Sequence, residues 1–166
     1  PRKNIRGIVG AFSRIAGEFP VNLVLVGGMG WKIDDFKSQL ENSEYHDRIV
    51  LPGYVPALDL PFFYRAAEAF LFPSFYEGFG LPVLESLAAG CPVITSDRSS
   101  LPEVVGDAGL LVDPDDIDAL AAAIRRLLED SSLRDDLAVR GQKRAAEFTW
   151  ARSVEAVVAA YRKVLS

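Results

Sequence analysis

At 166 residues and 49% hydrophobic content, the chain has the length of one domain and enough apolar surface for a real core. Its 18 Lys plus Arg against 23 Asp plus Glu give a net charge of −5, which argues against a nucleic-acid binder carrying a basic patch. The single cysteine, Cys91, excludes an internal disulfide and fits a reducing compartment, and no apolar run nears the roughly 18 residues of a membrane helix. With no signal peptide in the sequence, a cytoplasmic domain is the expectation.

In chain order, Pro1-Arg2-Lys3-Asn4 leads into a helix whose apolar positions Ile5, Ile8, Val9, Phe12 and Ile15 recur at helical spacing. Residues 21–26 form a nearly continuous apolar run, the pattern of a parallel strand covered on both faces. Gly27-Gly28-Met29-Gly30 follows, but the G-x-G-x-x-G/A spacing fails, because counting on from Gly28 brings Ile33 to the place of the last glycine. A tight turn at a strand end is at least as good a reading of that cluster as substrate contact. Residues 34–40 read as helix and 48–51 as a short strand ending in Pro52-Gly53. His46, the only histidine, lies in a polar connector and reads as a solvated loop residue, since a catalytic base needs a pocket and a partner. Asp59 is expected to cap the next helix, with Pro61 in its first turn and Phe62, Phe63 and Ala66 facing the core.

Residues 69–72 read as a buried strand. In the loop after it, Gly78 and Gly80 free the backbone to take φ > 0. Pro82 suits the first turn of a helix, where Val83, Leu84, Leu87 and Ala88 share one face and Gly90 ends the run. Pro92-Val93-Ile94-Thr95 is the next strand, and Cys91, between Gly90 and Pro92, reads as a small buried hydrophobe. This strand–loop–helix–strand unit aims a helix N-terminus at its loop, an arrangement that invites an anion such as phosphate. Two carboxylates flank it, Glu77 and Glu85. Residues 109–112 form a further strand, and Asp113-Pro114-Asp115-Asp116 supplies caps, not a metal cluster, for a helix carrying Ile117, Leu120, Ile124, Leu127 and Leu128. Another helix begins near Ser131 or Ser132. The last runs from Thr149 through Trp150, Val154, Val157, Val158, Tyr161 and Val164. Strands alternating with helices give a single α/β domain over 1–166, a doubly wound, mostly parallel Rossmann-like sheet with C-terminal helices over 116–165. In such sheets the ligand lies beyond the carboxyl ends of the strands, where the loops after Val26, Leu51, Phe72 and Thr95 open.

The stretch Phe75-Tyr76-Glu77-Gly78-Phe79-Gly80-Leu81-Pro82-Val83-Leu84-Glu85 closely resembles the Glu-x7-Glu signature of the retaining glycosyltransferases known as glycosyl transferases group 1. Pro1-Arg2-Lys3-Asn4, the strand ending in Gly27-Gly28, Gly53-Tyr54-Val55-Pro56, Pro73-Ser74 and Leu101-Pro102-Glu103-Val104 recur in that family in the same order, so the resemblance covers essentially the whole chain. Members use nucleotide-sugar donors and have the GT-B architecture of two facing Rossmann-like domains. The resemblance therefore implies the C-terminal, donor-binding half of such an enzyme. It implies that Lys3 and the N–H groups around Gly80 and Leu81 meet the donor diphosphate, with no metal or other cofactor. Glu85 would accept hydrogen bonds from the ribose 2′- and 3′-hydroxyls. Glu77 would lie beside the donor sugar, orienting its hydroxyls and supporting developing charge. Gly78, Phe79 and Gly80 would present backbone amides, and Val55 would meet the base through backbone groups. Ser74 would lie near the phosphates, though a strand-end serine satisfied by backbone is an equal reading. Similarity to mannosyltransferase-like members implies mannosyl transfer from GDP-mannose in polysaccharide or lipopolysaccharide synthesis, with the full-length enzyme peripheral at the inner face of the membrane.

The resemblance also implies something missing. Family members begin this domain with a strand ending in Gly-Arg, which would lie mid-sheet, and they carry an N-terminal acceptor-binding domain. Without that strand two strand edges stand unpaired, so a separate segment or a neighbouring chain is expected to fill the gap, the latter being self-association. Alone, the chain is expected to bind nucleotide weakly and to transfer nothing. Competing readings are a stand-alone nucleotide-binding subunit that pairs with a separate acceptor domain, and a non-hydrolysing nucleotide-sugar epimerase, which should lack the paired glutamates. A dehydrogenase fits poorly because the dinucleotide fingerprint fails.

Overall fold

The computed structural model describes residues 2–28 and 44–165. The helix expected over 34–40 and the second half of the Gly27-Gly28-Met29-Gly30 cluster lie outside these residues. The first helix, α1 (Ile5–Ile15), starts at Asn4, whose Oδ1 accepts from the Gly7 N–H at 3.2 Å while its Nδ2 donates to the Pro114 carbonyl at 2.6 Å. One side-chain amide thus caps the helix and ties it to Pro114, 110 positions along the chain. The helix buries Ile8, Val9, Phe12 and Ile15, as its spacing requires.

The described strands pair in parallel throughout. β1 (Leu23–Val26) pairs with β2 (Ile49–Gly53), Leu23 opposite Ile49. β3 (Phe70–Phe72), β4 (Val93–Ser96) and β5 (Gly109–Val112) form a second sheet in that order, with Phe70 opposite Val93 and Val93 opposite Gly109. Among the described residues, then, β1 pairs only with β2, β3 only with β4, and the sheet is in two pieces. One hydrophobic core nevertheless joins them. Leu23 of β1, Ile94 of β4 and Val112 of β5 pack with α1 and with α5 (Ile117–Glu129), the helix against which α1 lies. A second cluster sits beneath α3 (Leu81–Ala89) and α4 (Leu101–Val105), where Val83, Leu87, Leu101, Val104 and Val105 meet Phe72 and Val93. Thr95 and Ser96 are fully buried at the end of β4, where their hydroxyls donate to the carbonyls of Phe72 (2.8 Å) and Ser74 (2.6 Å). These bonds fix where the loop after β3 departs.

Several sequence expectations need correction. β1 is not buried on both faces: Leu23 and Leu25 pack on the core beneath α1, whereas Val24 and Val26 are exposed. Asp59 precedes α2 (Leu60–Ala66) but makes no side-chain cap bond. Phe62 is 66% exposed, Phe63 37%, and Ala66 is also exposed. The short helix turns Tyr64 inward instead, edge-on to Phe70 at 5.2 Å between ring centroids. On α3, Ser86 is buried where Ala88 was expected, and Gly78 does not take a positive φ. The aspartate caps do form: Asp116 Oδ1 accepts from the Ala119 N–H at 2.8 Å at the start of α5. Asp130 caps α6 (Ser131–Ala146), which packs on α3, and the Thr149 hydroxyl caps α7 (Trp150–Leu165). No residue of α7 is buried, and its apolar stripe Trp150, Val154, Val157, Tyr161, Val164 faces solvent. No helix among the described residues is long and apolar enough to cross a membrane.

Candidate functional site

The loop over 73–80 runs from the carboxyl end of β3 to the amino end of α3. Gly80 makes the final turn with φ 104°, in the region that favours glycine. A Cβ there would stand 2.7 Å from Leu101 Cδ2, so close packing as well as backbone geometry demands glycine. Pro82 occupies the first turn of α3, where a missing N–H costs nothing. Leu81 is 61% exposed, so the mouth of the helix is open, and Gly80, Leu81 and Pro82 line a cleft of about 290 Å³. The Val83 and Leu84 N–H groups turn back onto the Gly80 carbonyl, which leaves the N–H of Leu81 as the first-turn donor for a ligand.

Two cations from the start of the chain border that cleft together with Glu77 and the rings of Phe72 and Phe79. Asn4 anchors this segment, and the Arg2 carbonyl accepts from the Phe75 N–H at 3.0 Å, holding residues 2–4 alongside the loop. Lys3 Nζ lies 5.9 Å from the centre of the Phe72 ring. Arg2 Nη1 donates to Glu77 Oε2 at 2.5 Å, and the buried Ser74 hydroxyl donates to Glu77 Oε1 at 2.8 Å. Both carboxylate oxygens of Glu77 are therefore engaged. The hydroxyls of Ser99 and Ser100, in the loop after β4, reach the backbone of the same 77–79 segment.

One turn along α3 from Leu81, Glu85 is exposed and accepts from the Tyr64 hydroxyl at 3.2 Å. Burial first, and then the neighbouring Glu85 carboxylate, push the Tyr64 phenol well above its ordinary pKa, so it stays a donor. The loop after β2 keeps the Val55 side chain buried, and Val55 is not among the residues lining the cleft. Lys3, Glu77, Phe79, Gly80 and Leu81 thus gather round one cleft. Glu85 lies beyond its rim beside α2, and Ser74 lies behind Glu77 as its support.

The other candidates fall away from this site. Cys91 is buried, and burial raises its thiol to about 11, leaving it a protonated core group. His46 sits half-exposed in a short turn with Asp47 2.9 Å away. A larger depression of about 400 Å³ at the start of α5 is lined by aspartates, but these are committed. Asp113 and Asp115 pair with Arg98, Asp118 pairs with Arg14, and Asp116 caps the helix. Among the described residues no group of three or more His, Cys, Asp or Glu side chains could hold a metal ion. Sequence reasoning missed Arg2, Tyr64, Ser99 and Ser100. Only Arg2 carried a signal, its adjacency to Lys3. The others act across 21 or more positions of the chain, and no local pattern records that.

A parallel α/β fold with this cleft is the Rossmann-like half of a GT-B glycosyltransferase. The chain belongs to the family described as glycosyl transferases group 1, whose sequence profile matches residues 1–144. It is 44% identical over 164 residues to the O-antigen chain mannosyltransferase B of Escherichia coli, covering 98% of this chain and 43% of that protein. The solved sucrose-phosphate synthase from Thermosynechococcus elongatus superposes with a TM-score of 0.85 at 32% identity, over 99% of this chain and 43% of that one. The C-terminal domain of a glycosyl transferase group 1 family protein from Francisella tularensis superposes at 0.79 with 27% identity, over 88% of this chain and 79% of that domain. The chain spans less than half the length of the curated mannosyltransferase it matches.

Proposed function

We propose that this chain is the donor-binding domain of a retaining mannosyltransferase that uses GDP-mannose in polysaccharide or lipopolysaccharide assembly. The observation that carries the reading is the convergence of Lys3, Arg2 and the open N-terminus of α3 on one cleft beside Glu77. When the bond between the sugar C1 and the diphosphate oxygen breaks, its electron pair goes to the leaving diphosphate and positive charge develops on the sugar. Lys3, as a mobile point charge, and the N–H groups around Leu81 meet the first; Glu77 supports the second. Arg2 both holds Glu77 and adds a second positive charge at the cleft. Glu85 grips the ribose hydroxyls, with Tyr64 fixing the carboxylate, and the backbone around Val55 meets the base. In this reading the diphosphate charge is met by side chains and helix dipole, and no metal is assigned. The choice of mannose rests on the 44% identity to an enzyme named as a mannosyltransferase.

The acceptor belongs, in the same reading, to a further domain of a cytoplasmic enzyme that works at the inner face of the membrane. Support comes from the 43% share of the Escherichia coli relative and from the uncovered apolar stripe of α7. Among the described residues β1 and β3 each keep one unpaired edge, which in this reading takes one more strand from a preceding segment or a neighbouring chain. Calorimetric titration with GDP-mannose, GDP, UDP-glucose and UDP tests the proposal. Binding of GDP-mannose in preference to UDP-glucose is expected. Preference for the uridine sugar overturns the mannosyl assignment, and failure to bind any of the four overturns the donor site itself. The isolated chain is expected to show no steady sugar transfer.

A further inference from the structure

Glu77 lies in a loop and so lacks the backbone partners that a strand or helix would give it. Its peptide is held by a serine instead. The Ser99 hydroxyl accepts from the Glu77 N–H at 3.0 Å and donates to the Glu77 carbonyl at 2.9 Å, so that one oxygen closes on both polar backbone groups of one residue. Beside it, the Ser100 hydroxyl lies 2.9 Å from the Phe79 carbonyl and 3.0 Å from that of Glu77. A hydroxyl has one proton, and since Ser99 already donates to Glu77, Ser100 serves Phe79.

Ser99 achieves this with a left-handed backbone, φ 53°, a conformation that serine adopts only under constraint. Glycine would sit there without strain but would have no hydroxyl. Strained residues of this kind persist where the surrounding structure determines them, and they gather at functional sites. We propose that Ser99 is a positioning residue. Its clasp holds the peptide units on both sides of the Glu77 Cα and thereby fixes the aim of the Glu77 carboxylate, whose two oxygens Ser74 and Arg2 hold from the side-chain end. The inference rests on the assignment of Glu77 to the donor sugar, and it deepens that assignment by naming what preorganises the carboxylate.

Ser99→Gly and Ser99→Ala separate aim from stability. The first removes strain and hydroxyl together, and the second removes the hydroxyl alone. Each is expected to leave the Kd for GDP within about twofold of the parent protein, because GDP carries no sugar. Each is expected to weaken GDP-mannose about tenfold, the effect also expected of Glu77→Ala. Combined with Glu77→Ala, neither should add a further loss, since clasp and carboxylate act as one unit. A Ser99 variant that binds GDP-mannose like the parent, or whose loss adds fully to that of Glu77→Ala, overturns the proposal. Amide hydrogen exchange at Glu77 reads the clasp without any ligand. Protection in the parent that disappears in both variants supports it, and a fast-exchanging Glu77 amide in the parent overturns it. A parent protein that protects Glu77 yet binds neither GDP nor GDP-mannose overturns the donor-site reading and with it the clasp's role in catalysis.

Discussion

Arg2 and Glu77 meet at 2.5 Å with unequal exposure, the guanidinium 56% open to solvent and the carboxylate 11%. The arginine therefore lies over the glutamate and forms part of the cleft wall. With its arginine so open to water, the pair contributes little stability, roughly 0–1 kcal/mol, and its importance lies in charge placement.

Arg2→Gln should accordingly shift the melting temperature by no more than about 4 °C. It should weaken GDP binding by about tenfold at low ionic strength and by less at high salt, where exposed charges are screened. Titrations at two salt concentrations check this. A salt-independent loss would mean that Arg2 acts through loop structure and not as a cation.

Glu85→Ala removes a charged acceptor worth roughly 1.5–3 kcal/mol and is expected to raise the Kd for GDP by about tenfold to a hundredfold. Tyr64→Phe keeps the ring against Phe70 and frees the carboxylate, so a loss of only a few-fold is expected. An unchanged Kd in Glu85→Ala, measured by calorimetry, would remove the ribose assignment.

Gly80→Ala places a methyl 2.7 Å from Leu101 Cδ2 at φ 104°. Strain and overpacking act together, at a cost of about 1–3 kcal/mol, and the melting temperature should fall by about 3–10 °C. Because Leu101 is fully buried, the loop gives way before the core does, and nucleotide affinity should fall as well. Thermal melts paired with GDP titration check both effects.

Cys91 and Tyr64 both titrate higher folded than unfolded, in each case first through burial. The stability they confer is complete below their ordinary values of 9.0 and 10.0 and is lost as pH rises, for Cys91 through about 11. Urea midpoints should therefore decline above pH 9.0, and Cys91→Ala should flatten the first part of that decline. A midpoint that stays level to pH 11 in the parent would contradict the burial of both groups.

The fold was legible where one residue type has one physical meaning. Gly80 before Pro82, Gly90 after an apolar stripe and Asp116 before Ile117 each mark a helix end with a mechanism, and the helices begin and end there. Periodicity says less in the seven residues of α2, too short for a stripe to be distinguished, and there Tyr64 takes the core position that the pattern gives to Phe62 and Phe63. Of the site, the loop and its two glutamates could be read because they lie within one motif. The groups that hold those glutamates, Tyr64, Ser99 and Arg2, come from other elements, and only the packing of α2 and the run of the chain past β3 bring them there.

The division of the strands into two ribbons bears on what a ligand would do to the molecule. The backbone around Val55 extends from the β2 ribbon, whereas Glu77 and Ser99 extend from the ribbon of β3 and β4. A donor stretched from base to sugar would act as a rivet across that boundary, adding its own bonds where, among the described residues, no backbone ladder joins the halves. Occupancy and cohesion of the protein would then rise together.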